Sequence, residues 1–173
     1  MVAGVVGRMI FRGESFAALL LARPAGSAPP GTNLVYNDPS KPPSNKTLPT
    51  EALNPVKLPF ETLGGWTYVE GSPIPADVKK FDGQWVKITG YMMQSRQVQN
   101  ISSFITVQSL WSCCFGQTPA VNHVVAVTME PGKFVGYYPE PVDVMGKFSV
   151  GEYREGKNLV SVYRLEAVSV SVK

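Results

Sequence analysis

Two long runs of alternating apolar residues at the C-terminal end constrain the fold most. Val142–Gly151 and Leu159–Val172 both follow the period of two that is typical of β-strands, and the second changes phase near Tyr163. The segment Arg154–Asn158 between them is polar and contains glycine, so the two runs predict a β-hairpin. Gly146 lies inside the first run, and a glycine within a strand predicts a bend that lets the sheet curve.

Three earlier segments also have the pattern of strands, namely Trp85–Met92, Ser103–Ser109 and His123–Met129. A shorter strand is predicted at Trp66–Val69. A helical turn is predicted at Ala76–Phe81, because a proline precedes it and proline is favoured at the first position of a helix. The sequence therefore predicts a domain built from five main strands.

This pattern predicts a mainly β fold, a small five-stranded OB-like β-barrel over residues 60–173, with a small β-sandwich as the alternative. The preceding residues, 29–59, are rich in proline and have neither helical nor strand periodicity, so they predict an extended arm. That arm is either a flexible tether or a segment that lies along another subunit. A chain of 173 residues is long enough for one such domain and an extension.

Residues 1–28 allow two interpretations. The short apolar run Phe16–Ala22 follows basic residues and precedes small ones, like an uncleaved signal-like segment. Apolar residues, including Phe16 and Leu20, also recur at helical spacing with arginines opposite them, which predicts a short amphipathic helix. Such a helix would contact a membrane surface through residues 1–22 or bind a partner protein.

The charge of the chain disfavours nucleic acid as a partner. The formal net charge is +3, and the sequence has no dense Lys/Arg patch. Its aromatic residues are not interleaved with basic ones as in a stacking platform for single-stranded nucleic acid. We therefore expect protein partners and no nucleic acid.

The only two cysteines, Cys113 and Cys114, are adjacent, and the only histidine, His123, follows them closely. Thiolates and an imidazole suit zinc or copper, but a structural zinc site needs four ligands and only three strong ones are present. The more common role of a free cysteine is to pack as a small apolar residue. A strained, redox-active disulfide between neighbours is a third alternative.

The inventory of reactive side chains does not favour an enzyme. There is a single histidine and no Gly-x-Ser-x-Gly turn to activate a serine. A cysteine paired with His123 could form a nucleophile and a base, but no third group is placed to orient the pair. We therefore expect no catalytic residues and no cofactor, with bound zinc or copper as the alternative.

Aromatic residues in predicted loops are candidates for partner binding. Trp111 and Phe115 flank the cysteines, and Tyr137 and Tyr138 lie in a proline-flanked loop. Large aromatic side chains are enriched at the centres of protein interfaces. These four residues, together with Phe16 and Leu20, form the predicted partner-binding set.

Several short motifs recur in an order typical of one bacterial family. In chain order they include Phe60-Glu61-Thr62-Leu63, Asp82-Gly83, Gly90-Tyr91-Met92, Cys113-Cys114-Phe115-Gly116, Gly146-Lys147-Phe148 and Ser161-Val162-Tyr163-Arg164-Leu165. Over about residues 60–172 the chain resembles the family called domain of unknown function 3299, and the Cys-Cys-Phe-Gly segment is the most specific part. The resemblance implies a small exported or membrane-associated bacterial protein and assigns no catalytic residue.

These observations predict a non-enzymatic accessory or structural subunit of a bacterial membrane-associated complex, whether photosynthetic, respiratory or transport. It would bind protein subunits of that complex through its arm and its β domain, and would be membrane-associated on the periplasmic face. The alternative is a periplasmic protein that binds zinc or copper through the two cysteines and the histidine.

Overall fold

The computed structural model describes residues 28–37, 48–93, 97–111 and 118–173. Its fold is mainly β with few helices, as the alternating pattern predicts. The strands are β1 (Val35–Asn37), β2 (Val56–Lys57), β3 (Trp85–Met92), β4 (Ser103–Val107), β5 (Val124–Met129), β6 (Lys133–Val135), β7 (Val142–Glu155) and β8 (Asn158–Val172). The helices are a 3-10 turn (Thr50–Leu53), α1 (Phe60–Gly64) and α2 (Ala76–Lys79).

Five of the strands pair in a closed ring, in the order β3, β4, β5, β8, β7 and back to β3. All neighbours are antiparallel except β5 and β8, which are parallel. The five strands of the ring are those that the alternation predicts. The bounds of β3 agree with the prediction, and each of the other four differs at one end by one to four residues. The inward side chains of the ring form one core, because alternate residues of each strand point to the same face.

The β7–β8 hairpin contains a register shift at Gly146. Met145 pairs with Ser169 while Gly146 pairs with Ala167, so Val168 is the extra residue of a β-bulge. A Cβ added at Gly146 would lie 2.8 Å from the Ala167 Cα, closer than real Cβ atoms approach. Glycine therefore lets the two backbones meet where the hairpin bends.

The core is apolar and continuous from the ring to the short helices. In its centre the rings of Phe148 and Tyr163 stack with their centroids 5.6 Å apart, and neither residue has exposed surface. Phe60 and Leu63 of α1 are buried in the same cluster. A Cβ at Gly90 would lie 2.7 Å from Phe60 Cε2, so the bare glycine leaves room for this ring.

The described parts of the Pro-rich arm bond to the chain itself. The Gly31 N–H donates to Val172 O at 2.6 Å and the Leu34 N–H donates to Val170 O at 2.8 Å, so this part lies along β8. Farther on, β1 pairs with β6, and β2 pairs in parallel with β3. These segments of residues 28–37 and 48–59 are therefore part of the β domain's own hydrogen bonding.

One predicted element is wrong. Trp66–Val69 forms no strand, and Trp66 O accepts from the Asn122 side chain where a strand would accept from a backbone N–H. The predicted N-terminal helix with Phe16 and Leu20 lies outside the described residues. Within the described part, none of the helices has the length and apolar character needed to cross a membrane.

Candidate functional site

Buried polar groups converge where α1 and the residues after it meet β5 and β8. The Trp66 Nε1–H donates to Tyr163 Oη at 2.9 Å, and this hydroxyl donates to Leu63 O at 3.0 Å. Asn122 reaches the same place from the start of β5, and we call these four residues the Trp66 corner. They join one end of the strand ring to the short helix beside it.

Asn122 is the most constrained member of the Trp66 corner. Only 1% of its surface is exposed, and its Nδ2 donates to Trp66 O at 2.5 Å. Its Oδ1 is buried and has no hydrogen-bond partner within the described ranges. A buried acceptor without a partner is uncommon, because it loses its bonds to water and gains none. The orientation of the amide is fixed, since only Nδ2 can donate to a carbonyl.

Ser161 secures the same end of the ring. Its Oγ donates to Val124 O at 2.7 Å and accepts from the Tyr163 N–H at 2.9 Å. The residue is fully buried, so both bonds replace lost contacts with water. This serine therefore holds the first residue of β5 against β8 and fixes the position from which the Tyr163 ring enters the core.

The pKa of Tyr163 is raised to about 12. Burial is the main cause, because a buried site disfavours the charged phenolate. The hydrogen bond from Trp66 acts in the opposite direction, and the negative charge of Asp77 adds to the rise. Tyr163 is therefore a neutral, structural hydroxyl over the whole physiological range.

His123 lies at the edge of the Trp66 corner and is exposed. Its backbone N–H donates to Ala120 O at 2.8 Å. A Cβ added at Gly64 would lie 3.0 Å from its Cε1 and 3.1 Å from its Nδ1, so the imidazole ring packs against this glycine. The side chain is thus held at the surface and lies outside the core.

The other two predicted metal ligands, Cys113 and Cys114, lie outside the described residues, as does Phe115. Across residues 28–37, 48–93, 97–111 and 118–173, no group of three His, Cys, Asp or Glu side chains is arranged to hold a metal ion. Of the predicted set, only His123 is therefore placed by the structure.

Trp111 is the most exposed aromatic residue that the structure describes. It follows β4, directly before the segment 112–117, and 73% of its surface is exposed. Its backbone N–H donates to Ser109 Oγ at 3.3 Å. An indole at the surface is a large apolar area in contact with water, which is typical of residues that bind partners.

The two predicted tyrosines of the loop before β7 are less accessible than expected from the sequence. Tyr138 is only 6% exposed, and its Oη accepts from the Ala28 N–H at 3.1 Å. Tyr137 is half-buried, and its N–H donates to Val98 O at 2.8 Å. Tyr138 therefore anchors the beginning of the described arm.

An exposed charged cluster, which the sequence did not indicate, lies beside the β7–β8 hairpin. Tyr68 Oη donates to Glu152 at 2.6 Å, and Arg154 bonds to Glu152 at 2.9 Å and Glu70 at 2.6 Å. The hydrogen bond to Glu152 is the main cause that raises the pKa of Tyr68 to about 12. This cluster ties the loop after Trp66 to the hairpin, a contact over 84 residues that no local pattern reveals.

The sequence and the fold were compared with known proteins. The sequence model of DUF3299, described as a protein of unknown function, matches residues 67–172. A crystal structure of a DUF3299 family protein from Pseudomonas aeruginosa PAO1 has 20% sequence identity and a TM-score of 0.48, and the match covers 68% of this chain and 95% of that chain. The search of curated proteins finds no match.

Proposed function

Because this chain belongs to DUF3299, a family of proteins of unknown function, we propose its role from its own surface. The proposed role is that of a non-enzymatic accessory subunit of a bacterial membrane-associated complex on the periplasmic face. The chain binds protein subunits of that complex. The exposed indole of Trp111 carries the proposal, because a large apolar side chain in contact with water is a candidate anchor for a partner's pocket.

The polar groups of the Trp66 corner form hydrogen bonds within the fold, and this supports a binding role for the domain. Tyr163 accepts from Trp66 and donates to Leu63 O, and Asn122 donates to Trp66 O, so these groups stabilise the fold; the neighbouring Ser161 likewise bonds to backbone groups. The order of the five ring strands supports an OB-like β-barrel, a fold that binds through its surface strands and loops. In this proposal the domain acts as a rigid docking unit, and residues 1–22 contact the membrane surface.

The test is recovery of the full-length chain from bacterial membranes with its partner subunits. We expect stoichiometric co-purification with one membrane complex. Trp111→Ala should weaken binding by about 2 kcal/mol or more, the usual effect at an anchor residue, without changing the melting temperature. Val98→Ala is the matched control, because Val98 is also an exposed apolar residue, at 56%, and lies in the loop before β4.

Two results contradict this role. One is a chain that stays free of any membrane complex, and the other is binding that Trp111→Ala leaves unchanged. Removal of residues 1–27 separates the two parts of the proposal. It should abolish binding of the purified chain to lipid vesicles, while co-purification with the complex and the melting temperature of the β domain stay unchanged.

The exposure of His123 favours a second candidate function, the binding of zinc or copper with Cys113 and Cys114. A histidine held at the surface keeps its ring nitrogens accessible to a ligand, unlike one packed in the core. Elemental analysis of the purified chain tests it. About one metal ion per chain, lost in Cys113→Ser with Cys114→Ser and in His123→Ala, would support this function; a metal-free chain that also fails to bind added Zn²⁺ or Cu⁺ would exclude it.

A further inference from the structure

A pocket with neutral polar walls lies between the described arm and the loop before β4. It has a volume of about 520 Å³, within the range of small-molecule sites. Its lining residues are Asn33, Leu34, Tyr36, Gln99, Asn100, Gly136, Tyr137 and Tyr138, and we call it the amide pocket. None of them carries a charge at neutral pH, and three of them end in a primary amide.

Asn100 and Tyr36 fix each other at the rim of the pocket. Tyr36 Oη donates to Asn100 Oδ1 at 2.7 Å, and the Asn100 N–H donates back to the same hydroxyl at 2.7 Å. Asn100 has a φ of 55°, which is left-handed and uncommon outside glycine. Its Oδ1 is already an acceptor, and no described residue accepts from its Nδ2, which can therefore donate to a ligand.

The other two amides are also available. Asn33 Oδ1 accepts from the Val35 N–H at 3.0 Å, and among the described residues its Nδ2 has no acceptor. The side chain of Gln99 is exposed and makes no hydrogen bond within the described part of the chain. The pocket therefore offers the side-chain N–H groups of three amides. Hydrogen bonds within the fold set the orientation of two of them, Asn33 and Asn100.

Aromatic surface borders these donors. The ring of Tyr36 packs against Phe134 with the centroids 6.2 Å apart, and 38% of the residue remains exposed. Tyr137 lines the pocket and is half-buried. Packed aromatic rings next to amide donors offer one ligand both an apolar surface and hydrogen bonds.

We propose that the amide pocket binds a neutral saccharide. The C–H face of a sugar ring can pack on Tyr36, while its hydroxyl and ring oxygens accept hydrogen bonds from the amides of Asn33, Gln99 and Asn100. An anion would find no cation in this lining, and a purely apolar ligand would leave the amides without partners. Both of these ligand classes therefore fit less well than a polyhydroxylated, uncharged one.

The test is isothermal titration of the full-length chain with maltotriose, cellotriose and chitotriose. We expect at least one of them to bind with a Kd of about 1 mM or lower. Asn100→Gly removes the amide and keeps a residue that accepts the positive φ. Gln99→Ala removes an exposed amide that makes no bond in the described part. Each variant should weaken binding by about tenfold, the effect of one lost hydrogen bond.

Gln108→Ala is the matched control, because Gln108 is an exposed glutamine outside the pocket whose side chain bonds to Glu61 at 3.0 Å. Its Kd should equal that of the unmodified chain. Weakening by either pocket variant with an unchanged control supports the proposal. Failure of all three sugars to bind overturns it, and so does a Kd that neither pocket variant changes.

Discussion

The indole N–H of Trp66 donates to the hydroxyl of Tyr163 at 2.9 Å, across 97 residues of sequence. The same hydroxyl donates to Leu63 O, so one phenol connects β8 to α1 and to the loop that follows it. A hydroxyl with two buried partners contributes to stability chiefly because its removal would leave both partners without a hydrogen bond.

Tyr163→Phe should destabilise the chain. The variant keeps the stacked ring but leaves the Trp66 N–H without its acceptor and Leu63 O without its donor. We expect a loss of about 1–3 kcal/mol in the free energy of unfolding, measured by urea titration. Tyr153→Phe is the control, because the Tyr153 hydroxyl makes an exposed hydrogen bond to Glu155 at 3.4 Å. An equal loss in both variants would contradict the role of the buried hydroxyl.

The raised pKa of Tyr163 predicts a loss of stability in alkaline solution. Its folded value is about 12 against 10.0 in the free side chain, so the fold favours the protonated phenol. The stability that this contributes is fully present below pH 10 and is lost as the pH rises from 10 to about 12. Urea midpoints measured over this interval should fall more for the unmodified chain than for Tyr163→Phe. Parallel curves would show that Tyr163 is not responsible.

Asn122→Asp should destabilise the chain more than Asn122→Ala. The new carboxylate cannot donate to Trp66 O and buries a charge where the structure provides no described partner for Oδ1. Burial should raise the pKa of the new carboxyl group, so the variant should recover stability, relative to the unmodified chain, as the pH falls. The exposed substitution Asn158→Asp serves as the control and should show neither effect in thermal melts.

Gly146→Ala should destabilise the chain because the added methyl group would meet the backbone of Ala167 and Glu166. Overpacking of this kind costs about 1–3 kcal/mol. Gly136→Ala is the matched control, since the nearest atom to its added Cβ is Val98 O at an ordinary 3.8 Å. Chemical denaturation should separate the two variants, and equal stability of both would mean that the hairpin relaxes at the bulge.

The strand ring could be predicted because its strands carry their own signal. Half-buried and buried residues alternate along β3 without interruption from Trp85 to Met92. In β8 the phase change that the sequence shows near Tyr163 becomes two places where consecutive residues are buried. The first comprises Ser161, Val162 and Tyr163, and the second comprises Ala167 and the bulge residue Val168. A change of phase in a sequence therefore marks irregular pairing, although its position was only approximate.

The Trp66 corner could not be predicted because nothing local distinguishes its residues. Trp66 has the same local pattern as a short strand, and its inward turn depends on Tyr163, which is distant in sequence. The short strands β1 and β6 were missed for a similar reason, since three residues carry too little alternation and their pairing depends on tertiary contacts. Asn122 and Ser161 have no local signal that separates a buried polar residue from a loop residue.

The pairing of Trp85–Gly90 with Val142–Lys147 has a consequence for synthesis of the chain on the ribosome. The strands β3, β4 and β5 can pair with one another as they emerge, but β3 and β5 each keep an unpaired edge until β7 and β8 follow. Unpaired edges can associate between chains, so a nascent chain of this kind is exposed to aggregation during that interval. Release before Val142 would leave both edges open permanently.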